Sequence, residues 1–336
     1  MMKQAKFKIG DYEISDISMP YIIAEIGSNF DQDFNKACKL IEIASQHGAN
    51  AVKFQLFKAE NLYPNKDSLY NLFKDIELNQ TWIPRLQDCA RNNNIDFLAS
   101  SFDLDSFEIL EKYKVLAHKI ASSEITNLSF LNKVAQTGKP VLISTGMSDF
   151  VDIEEAINIM DMANNKNICI MQCSSIYPLN HEDVNLNVIK AFRNRYDYVI
   201  GFSDHTLDNI ASITALGIGS RVFEKHITLN RKDSGPDHFY ALEPEQLKKY
   251  IDSIRSSYKC LGSLQKNLLQ QEKEIGRRES IYAKYDLEQN HILKSEDLII
   301  KRPCIGIRSR YISSLIGCKL KNKLKKDHPI SFSDIK

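Results

Sequence analysis

Eight short apolar runs alternate with stretches of helical periodicity in this sequence, and this alternation restricts the fold more than any other feature. Runs of strand length that are apolar throughout are typical of parallel strands buried between helices. Eight strand and helix units ending near Tyr258 fit a closed (β/α)8 barrel, a TIM barrel, better than an open doubly wound sheet. The sequence therefore predicts an α/β barrel with strands at Tyr21–Glu25, Ala51–Gln55, Asp96–Ser100, Val115–Ala121, Pro140–Ser144, Ile168–Cys173, Tyr198–Ser203 and Arg221–His226.

The segment between the first two runs shows the helical pattern. Phe34, Ala37 and Ile41 recur at spacings of three and four residues, so they fall on one face of a helix. Gly48 follows as a helix stop. We therefore predict a helix over residues 33–47.

The length of the chain, 336 residues, indicates one large domain and one small one, because single cores stop growing at roughly 250–300 residues. We predict a barrel domain over residues 1–262 that begins with a hairpin at 7–16, a polar linker over 263–279, and a small domain over 280–336. A domain as small as the last is marginal alone. We therefore expect it to dock on the barrel or on a neighbouring subunit.

Composition narrows the class of partner. Hydrophobic residues make up 43% and charged residues 26% of the chain, and the formal net charge is +1, which offers no broad field for nucleic acid or anionic lipid. The N-terminus lacks the apolar core of a signal peptide, and no apolar run reaches membrane-spanning length. Seven scattered cysteines without a C-x-x-C pair indicate reduced thiols. These features predict a cytoplasmic protein that acts on small molecules and binds neither nucleic acid nor membranes.

The residues that end the eight runs are polar, and barrel enzymes place their reacting groups at this end of the strands. One polar strand end is weak evidence, but eight that converge on one ring predict a binding site. Lys53 and Lys119, with serines beside them, suit a small ligand that carries phosphate and carboxylate groups. A Schiff-base role for either lysine stays open. The ring comprises Glu25, Lys53, Gln55, Ser100, Ser101, Lys119, Ser122, Glu124, Ser144, Thr145, Ser174, Ser175, Tyr177, Ser203, Asp204, His205, Glu224, Lys225 and His226.

Two histidines in this ring, His205 and His226, end neighbouring strands. Their imidazoles are therefore close enough to bind one divalent ion and still leave positions for water and substrate. Structural hydrogen bonding is the alternative for both rings.

The chain between the second and third runs is longer than the other connections. Its excess, residues 58–77, follows a strand and so lies on the catalytic face of a barrel. A loop that covers the substrate and a simple surface insertion are both consistent with this position.

At these residues the sequence resembles the sialic acid synthase family, which includes the synthases of N-acetylneuraminic, legionaminic and pseudaminic acids. The resemblance spans nearly the whole chain and, for the last domain, extends to the antifreeze-like (SAF) module of these enzymes. The motifs are Ile23–Gly27, Val52–Gln55, Lys119–Ser122, Ser144–Met147, Ile176–Pro178, Glu182–Val184, Gly201–Thr206, Glu224–His226, Gly235–His238 and Lys301–Pro303.

The resemblance implies an activity: condensation of phosphoenolpyruvate with an N-acylated hexose, N-acetylmannosamine or 2,4-diacetamido-2,4,6-trideoxymannose, with release of phosphate by C–O cleavage. It implies a divalent metal, manganese first and magnesium or cobalt next, held by His205 and His226. It also implies a homodimer in which each SAF domain closes the partner's active site. The phosphoenolpyruvate set is Lys53, Ser100, Lys119, Ser122, Ser144 and Ser203; the sugar set is Glu25, Gln55, Ser175, Tyr177, Asp237 and Arg302. Glu25, Lys53, Lys119 and the two histidines are the expected catalytic residues.

Some positions depart from the family pattern on the side expected to bind the sugar. Phe30 stands where the family usually has histidine, Ser175 where sialic acid synthases often have asparagine, and Asn180 where a proline is common. Two other functions remain as alternatives: a Schiff-base aldolase that uses pyruvate, and a non-enzymatic sugar- or ice-binding protein.

Overall fold

The computed structural model describes residues 5–336. Residues 1–4, which the sequence assigns to the start of the barrel domain, lie outside this range. The chain divides into two compact units, one that ends at Gly262 and one over Ser263–Lys336.

The first unit is the predicted TIM barrel. Eight parallel strands close on themselves, with the last strand hydrogen-bonded to the first. The strands are β3 (Tyr21–Gly27), β4 (Ala51–Leu56), β5 (Asp96–Ser101), β6 (His118–Ile120), β7 (Val141–Ser144), β8 (Ile168–Gln172), β9 (Val199–Asp204) and β10 (Val222–His226). Each matches one apolar run, although β6 is shorter than its run because Val115 and Ala117 are buried before the strand ladder begins.

Helices follow the strands, and most of them cover the outside of the barrel. They are α1 (Phe34–Gln46), α2 (Ala59–Leu62), α3 (Ser68–Asp75), α4 (Ile83–Asn92), α5 (Leu104–Lys112), α6 (Leu128–Ala135), α7 (Phe150–Met162), α8 (Asn187–Arg195), α9 (Ile210–Gly217) and α10 (Pro244–Leu261). Helix α1 shows why they begin where they do: the Asp33 carboxylate accepts hydrogen bonds from the backbone N–H groups of Asn35 and Lys36, which lack partners within the helix.

A hairpin closes the amino-terminal end of the barrel. Its strands, β1 (Lys6–Ile9) and β2 (Tyr12–Ser15), pair antiparallel across a turn at Gly10, where φ is +53°. Phe7, Ile9 and Ile14 are buried in one apolar cluster with residues of the barrel interior. The described part of the hairpin therefore covers this end of the barrel, and the carboxyl ends of the strands form the opposite face.

The second unit has its own small core. It contains α11 (Gln270–Ile275), β11 (Ser280–Ala283), β12 (Leu298–Lys301) and α12 (Ile312–Leu315), and β11 pairs antiparallel with β12. Ile281, Leu293, Leu320 and Ile330 are almost fully buried together. A self-contained core explains why this segment forms a compact unit.

Two further findings concern the chain as a whole. All seven cysteines are free thiols, as predicted. Among residues 5–336, no helix has the length and apolar character that crossing a membrane requires.

Candidate active site

A cavity of about 370 Å³ opens at the carboxyl ends of the barrel strands. This volume lies within the range of small-molecule sites. Three larger surface grooves, of about 590, 510 and 450 Å³, contain no buried ionisable group among their lining residues. Of the residues predicted from the sequence, the cavity is lined by Glu25, Lys53, Gln55, Ser100, Lys119, Ser122, Ser144, Ser175, Tyr177, Ser203, His205, Glu224, His226 and Asp237. The predicted ring also included residues that do not line it: Ser101, Glu124, Thr145, Ser174, Asp204 and Lys225. Arg302 belongs to the C-terminal unit, where its side chain is largely exposed and lies 3.7 Å from Glu279.

Four buried charges form the floor of the cavity. The Lys53 ammonium lies 2.9 Å from Glu25 and 3.6 Å from Glu224, and the Lys119 ammonium lies 3.7 Å from the other oxygen of Glu224. All four side chains are at most 5% exposed. Two lysines and two glutamates balance formally, which is how charges of this number remain buried in a protein.

Serine hydroxyls surround the charged floor. Lys53 donates a hydrogen bond to Ser100 (2.9 Å) and Lys119 donates to Ser144 (2.7 Å). Ser203 donates to Glu224 at 3.0 Å. The Ser122 hydroxyl accepts from the backbone N–H of Gly146 at 2.9 Å, and a side chain at Gly146 would collide with it. These serines and lysines together offer the donors that an anion with several oxygens needs.

The environment separates the pKa values of the two glutamates. Burial raises the pKa of Glu25, and the nearby Lys53 only partly offsets this. Burial would raise the pKa of Glu224 as well, but the ammonium groups of Lys119 and Lys53 outweigh it and hold that pKa at about 2. Such separation suits different roles: Glu25 takes up a proton more readily than Glu224, which stays ionised at pH 7.

The imidazoles of His205 and His226 face each other with ring centroids 5.7 Å apart. Tyr177 stacks on His205 at 4.1 Å, and Tyr240 lies 5.0 Å from His226. Burial lowers the pKa of His226 to about 4, so this ring is neutral at pH 7. Burial also opposes protonation of His205, but the Cys173 thiol raises its pKa overall.

These two rings fit a divalent metal. Nδ1 of His205 is 2.7 Å from the Ser174 carbonyl and donates to it, so in the neutral form of the ring, the form that binds a metal, Nε2 carries the lone pair. A neutral His226 supplies a second imidazole nitrogen, and nitrogen ligands suit first-row transition ions. Anchoring one ring nitrogen to a carbonyl is the usual way in which proteins orient a metal-binding histidine.

A second group of metal-ligand atoms lies beside the cavity. Oxygens of Asp31 and Asp233 and a ring nitrogen of His238 lie within 4.8 Å of one another. The Lys36 ammonium already binds both carboxylates. The charge of Lys36 therefore already compensates the two carboxylates in place of a metal ion. The group also connects the loop after β3 to the loop after β10.

Asp237 is held in place on the wall of the cavity. It accepts hydrogen bonds from Tyr240 (2.8 Å) and Ser28 (3.2 Å). Gly27 has φ +55°, and a Cβ there would lie 2.8 Å from the Asp237 carboxylate. The same Cβ would lie 3.5 Å from the Gln55 amide, which donates to Glu25 at 2.9 Å. Polar groups that converge in this way can bind the hydroxyls of a sugar.

The excess segment 58–77 contributes to the cavity. It carries α2 and α3, and its Tyr63 and Phe73 line the cavity with Phe102. Tyr63 and Phe73 pack at 4.8 Å, and Phe73 packs on Phe57 at 5.4 Å. The interpretation as a covering loop thus agrees with the geometry better than that of a simple surface insertion.

The departures from the family pattern lie in different surroundings. Ser175 lines the cavity. Phe30 is buried against Phe54 and Trp82, with centroids 6.0 and 6.3 Å away, in the core between barrel and helices. Asn180 is exposed. Phe30 therefore replaces a polar side chain with a packing residue.

Sequence reasoning assigned no role to some lining residues. Glu224 was placed in the predicted ring without a role, and it faces the same side of its strand as His226, since strand side chains alternate. Cys173 follows directly after β8, next to the predicted serine cluster. Tyr240, Tyr63 and Phe73 come from long loops, whose course the apolar pattern does not reveal.

Comparison with known proteins identifies the family. The model of the NeuB family matches residues 40–266, and that of the SAF domain matches residues 278–336. The chain belongs to the NeuB family. Its relatives include the N,N'-diacetyllegionaminic acid synthase of Campylobacter jejuni, 36% identical over 92% of this chain and 98% of the relative. Human N-acetylneuraminate-9-phosphate synthase is 33% identical, covering 92% and 91%.

A solved structure supports the same assignment. The N-acetylneuraminic acid synthetase of Leptospira borgpetersenii, in complex with citrate, superimposes with a TM-score of 0.78 at 30% identity. The match covers 82% of this chain and 96% of that one. This NeuB-family chain therefore shares both sequence and fold with acid-sugar synthases.

The floor of the cavity predicts an effect on anion binding. Glu224→Gln removes a negative charge close to both lysines and keeps the shape of the side chain. We expect the affinity for inorganic phosphate to rise about tenfold or more, since about 1.4 kcal/mol suffices for that change. Calorimetric titration at pH 7 in EDTA measures it. Glu13→Gln, on the exposed hairpin, is the control; an unchanged or weaker affinity in folded Glu224→Gln would contradict the proposed electrostatics.

Proposed function

We propose that this chain condenses phosphoenolpyruvate with the open-chain aldehyde of an N-acyl hexose to give a nine-carbon 2-keto acid and phosphate. The acceptor is N-acetylmannosamine or 2,4-diacetamido-2,4,6-trideoxymannose. The observation that carries the proposal is the single cavity in which two lysines, two glutamates and two imidazoles meet. Membership of the NeuB family supports it.

Phosphoenolpyruvate would bind at the lysine end of the cavity. Lys53 and Lys119 bind its phosphate and carboxylate, and Ser100, Ser122, Ser144 and Ser203 donate the remaining hydrogen bonds. Support comes from the distances of 2.9 and 2.7 Å that already join each lysine to a serine. Charge-assisted bonds of this kind are the stronger ones for oxyanions.

His205 and His226 would hold the divalent ion, with manganese expected ahead of magnesium or cobalt. When bound, such an ion supplies Lewis-acid polarisation of the aldehyde oxygen. The two side chains orient it through their own anchors: the Ser174 carbonyl for His205, and the neighbouring Tyr240 hydroxyl, 3.4 Å from Nδ1, for His226.

The bond changes follow from the chemistry of an enol phosphate. Its C3 attacks the aldehyde carbon, and water adds to C2, where positive charge develops. Glu25 takes one proton of this water, which its raised pKa suits, and passes it on so that the aldehyde oxygen becomes a hydroxyl. The tetrahedral centre then collapses to the ketone: the C2–O bond breaks, phosphate leaves with the bridging oxygen, and the remaining hydroxyl proton at C2 goes to the departing phosphate. Lys53 and Lys119 stabilise the charge on the departing phosphate.

The sugar would occupy the opposite side of the cavity. Gln55, Ser175, Tyr177 and Asp237 face its hydroxyl and acylamino groups. Arg302 of a second copy would bind the N-acyl group, with the SAF domain closing the site. Charge favours docking of a C-terminal unit on a barrel, within one chain or between two: residues 263–336 hold 16 basic and 9 acidic residues, whereas residues 1–262 hold 28 and 34, so net charges of +7 and −6 attract.

An activity assay tests the proposal. Phosphate release from phosphoenolpyruvate with each of the two hexosamines should require manganese and be abolished by EDTA. With phosphoenolpyruvate labelled by 18O in the bridging position, mass spectrometry should find the label in phosphate. His205→Ala and His226→Ala should each lower kcat at least 100-fold, since each removes a ligand of the activating ion.

The controls separate the rival functions. His181→Ala, a surface histidine of the same unit, should keep full activity. A covalent adduct trapped by borohydride with pyruvate, in an EDTA-resistant enzyme, would establish the Schiff-base aldolase instead. No phosphate release with either sugar would refute the proposed reaction.

Complementation between copies tests the shared site. Lys119→Met and Arg302→Ala homodimers should each be nearly inactive, but mixing and refolding them should restore about a quarter of wild-type activity. Half of random dimers are mixed, and each mixed dimer has one complete site. Native mass spectrometry shows whether mixed dimers have formed. If they have formed and the activity stays at the level of the separate variants, Arg302 does not contribute to the partner's site.

A further inference from the structure

The two histidine-bearing strand ends carry a second set of charges on their outer face. In Ser203-Asp204-His205 and Glu224-Lys225-His226 the first and third residues line the cavity. The middle residues point away from it, because strand side chains alternate. Asp204 and Lys225 are direct neighbours in the ladder between β9 and β10.

Asp204 and Lys225 form an ion pair with almost no exposure. The Lys225 ammonium lies 3.1 Å from the Asp204 carboxylate, and the side chains are 2% and 0% exposed. The other Asp204 oxygen accepts from Ser212 of α9 at 2.7 Å, and Ser212 accepts in turn from Tyr250 of α10 at 2.7 Å. The pair therefore locks the two strands to the two helices behind them.

Lys225 also binds the chain that follows His205. Its ammonium donates to the carbonyl of Thr206 and lies 3.4 Å from that of Asp208. The backbone N–H and hydroxyl of Thr206 each donate to Asp204 at 2.8 Å. His205 thus lies between Asp204 and Thr206, both of which contact the Lys225 ammonium. His226 directly follows Lys225 in the chain.

We propose that Lys225, with Asp204, is a positioning residue for the metal centre: it sets the separation of the His205 and His226 imidazoles from outside the cavity. This inference rests on the proposed metal-binding role of those rings. A buried ion pair is costly to maintain, and an apolar pair would serve packing equally well. The Lys225 ammonium contacts the residues on both sides of His205, and an apolar side chain could not form these polar contacts.

The experiment measures manganese binding by electron paramagnetic resonance, without substrates. Lys225→Met should weaken binding at least tenfold, in line with other residues that orient metal ligands. The double variant Asp204→Asn/Lys225→Met leaves no unpaired buried charge and should fold, yet show the same loss. Lys225→Arg should recover affinity to within about threefold, because a guanidinium can reach the same acceptors. Phosphoenolpyruvate affinity in EDTA should change less than about twofold, since Lys53 and Lys119 are untouched.

Arg221→Met is the matched control. Arg221 is a buried cation at the other end of the same strand, where it donates to the carbonyls of Asp16, Leu216 and Ser220. Its loss should lower the melting temperature without changing manganese affinity.

The outcomes are distinct. Wild-type manganese affinity in a folded double variant, or an equal loss in Arg221→Met, would overturn the positioning role alone. His205→Ala is measured in parallel: if it binds manganese like wild type, the metal site itself fails and the positioning role fails with it. A loss confined to His205→Ala, Lys225→Met and the double variant supports both.

Discussion

The structure depends on a balanced cluster of buried charges inside a closed barrel. Glu25, Lys53, Glu224 and Lys119 come from β3, β4, β10 and β6, so no single segment of the chain could assemble them. Each charge has an opposite charge within 3.7 Å, which offsets the cost of removing it from water. The same balance prepares the site for an anion, since an incoming phosphate can compete with the glutamates for lysines that are already desolvated and aligned.

Because side chains alternate along a strand, the carboxyl ends of β9 and β10 contribute both to the cavity and to the contact with the helices behind them. Toward the cavity, β9 and β10 present Ser203 and Glu224 and lead to the two imidazoles. Toward the helices they present the Asp204–Lys225 pair. The described part of the hairpin covers the opposite end of the barrel. Loops after β3, β4 and β10 then supply the walls, and in the proposed dimer a second copy supplies Arg302.

Much of the fold and of the candidate site could be predicted because the sequence patterns that indicate them are local. Apolar runs report burial, and all eight barrel strands were found from them. The strand predicted at Val115–Ala121 is longer than β6, because burial begins before the hydrogen-bonded ladder at His118. The lysines and histidines were found because strand ends converge in any barrel. Tyr63, Phe73 and Tyr240 were missed because they reach the cavity through loops, and the Asp204–Lys225 pair because pairing across strands is visible only in three dimensions. The burial of Phe30 likewise depends on Trp82, which is distant in sequence.

The central claim is the proposal that Lys53 and Lys119 bind phosphoenolpyruvate and that His205 and His226 bind a metal ion next to the same molecule. Relaxation of its phosphorus nucleus by enzyme-bound manganese tests this most directly, because paramagnetic relaxation falls steeply with distance. The account predicts strong enhancement in the wild-type protein, and loss of the enhancement in His205→Ala even when phosphoenolpyruvate remains bound. Simultaneous binding of manganese and phosphoenolpyruvate to the wild-type protein without enhanced relaxation would contradict it.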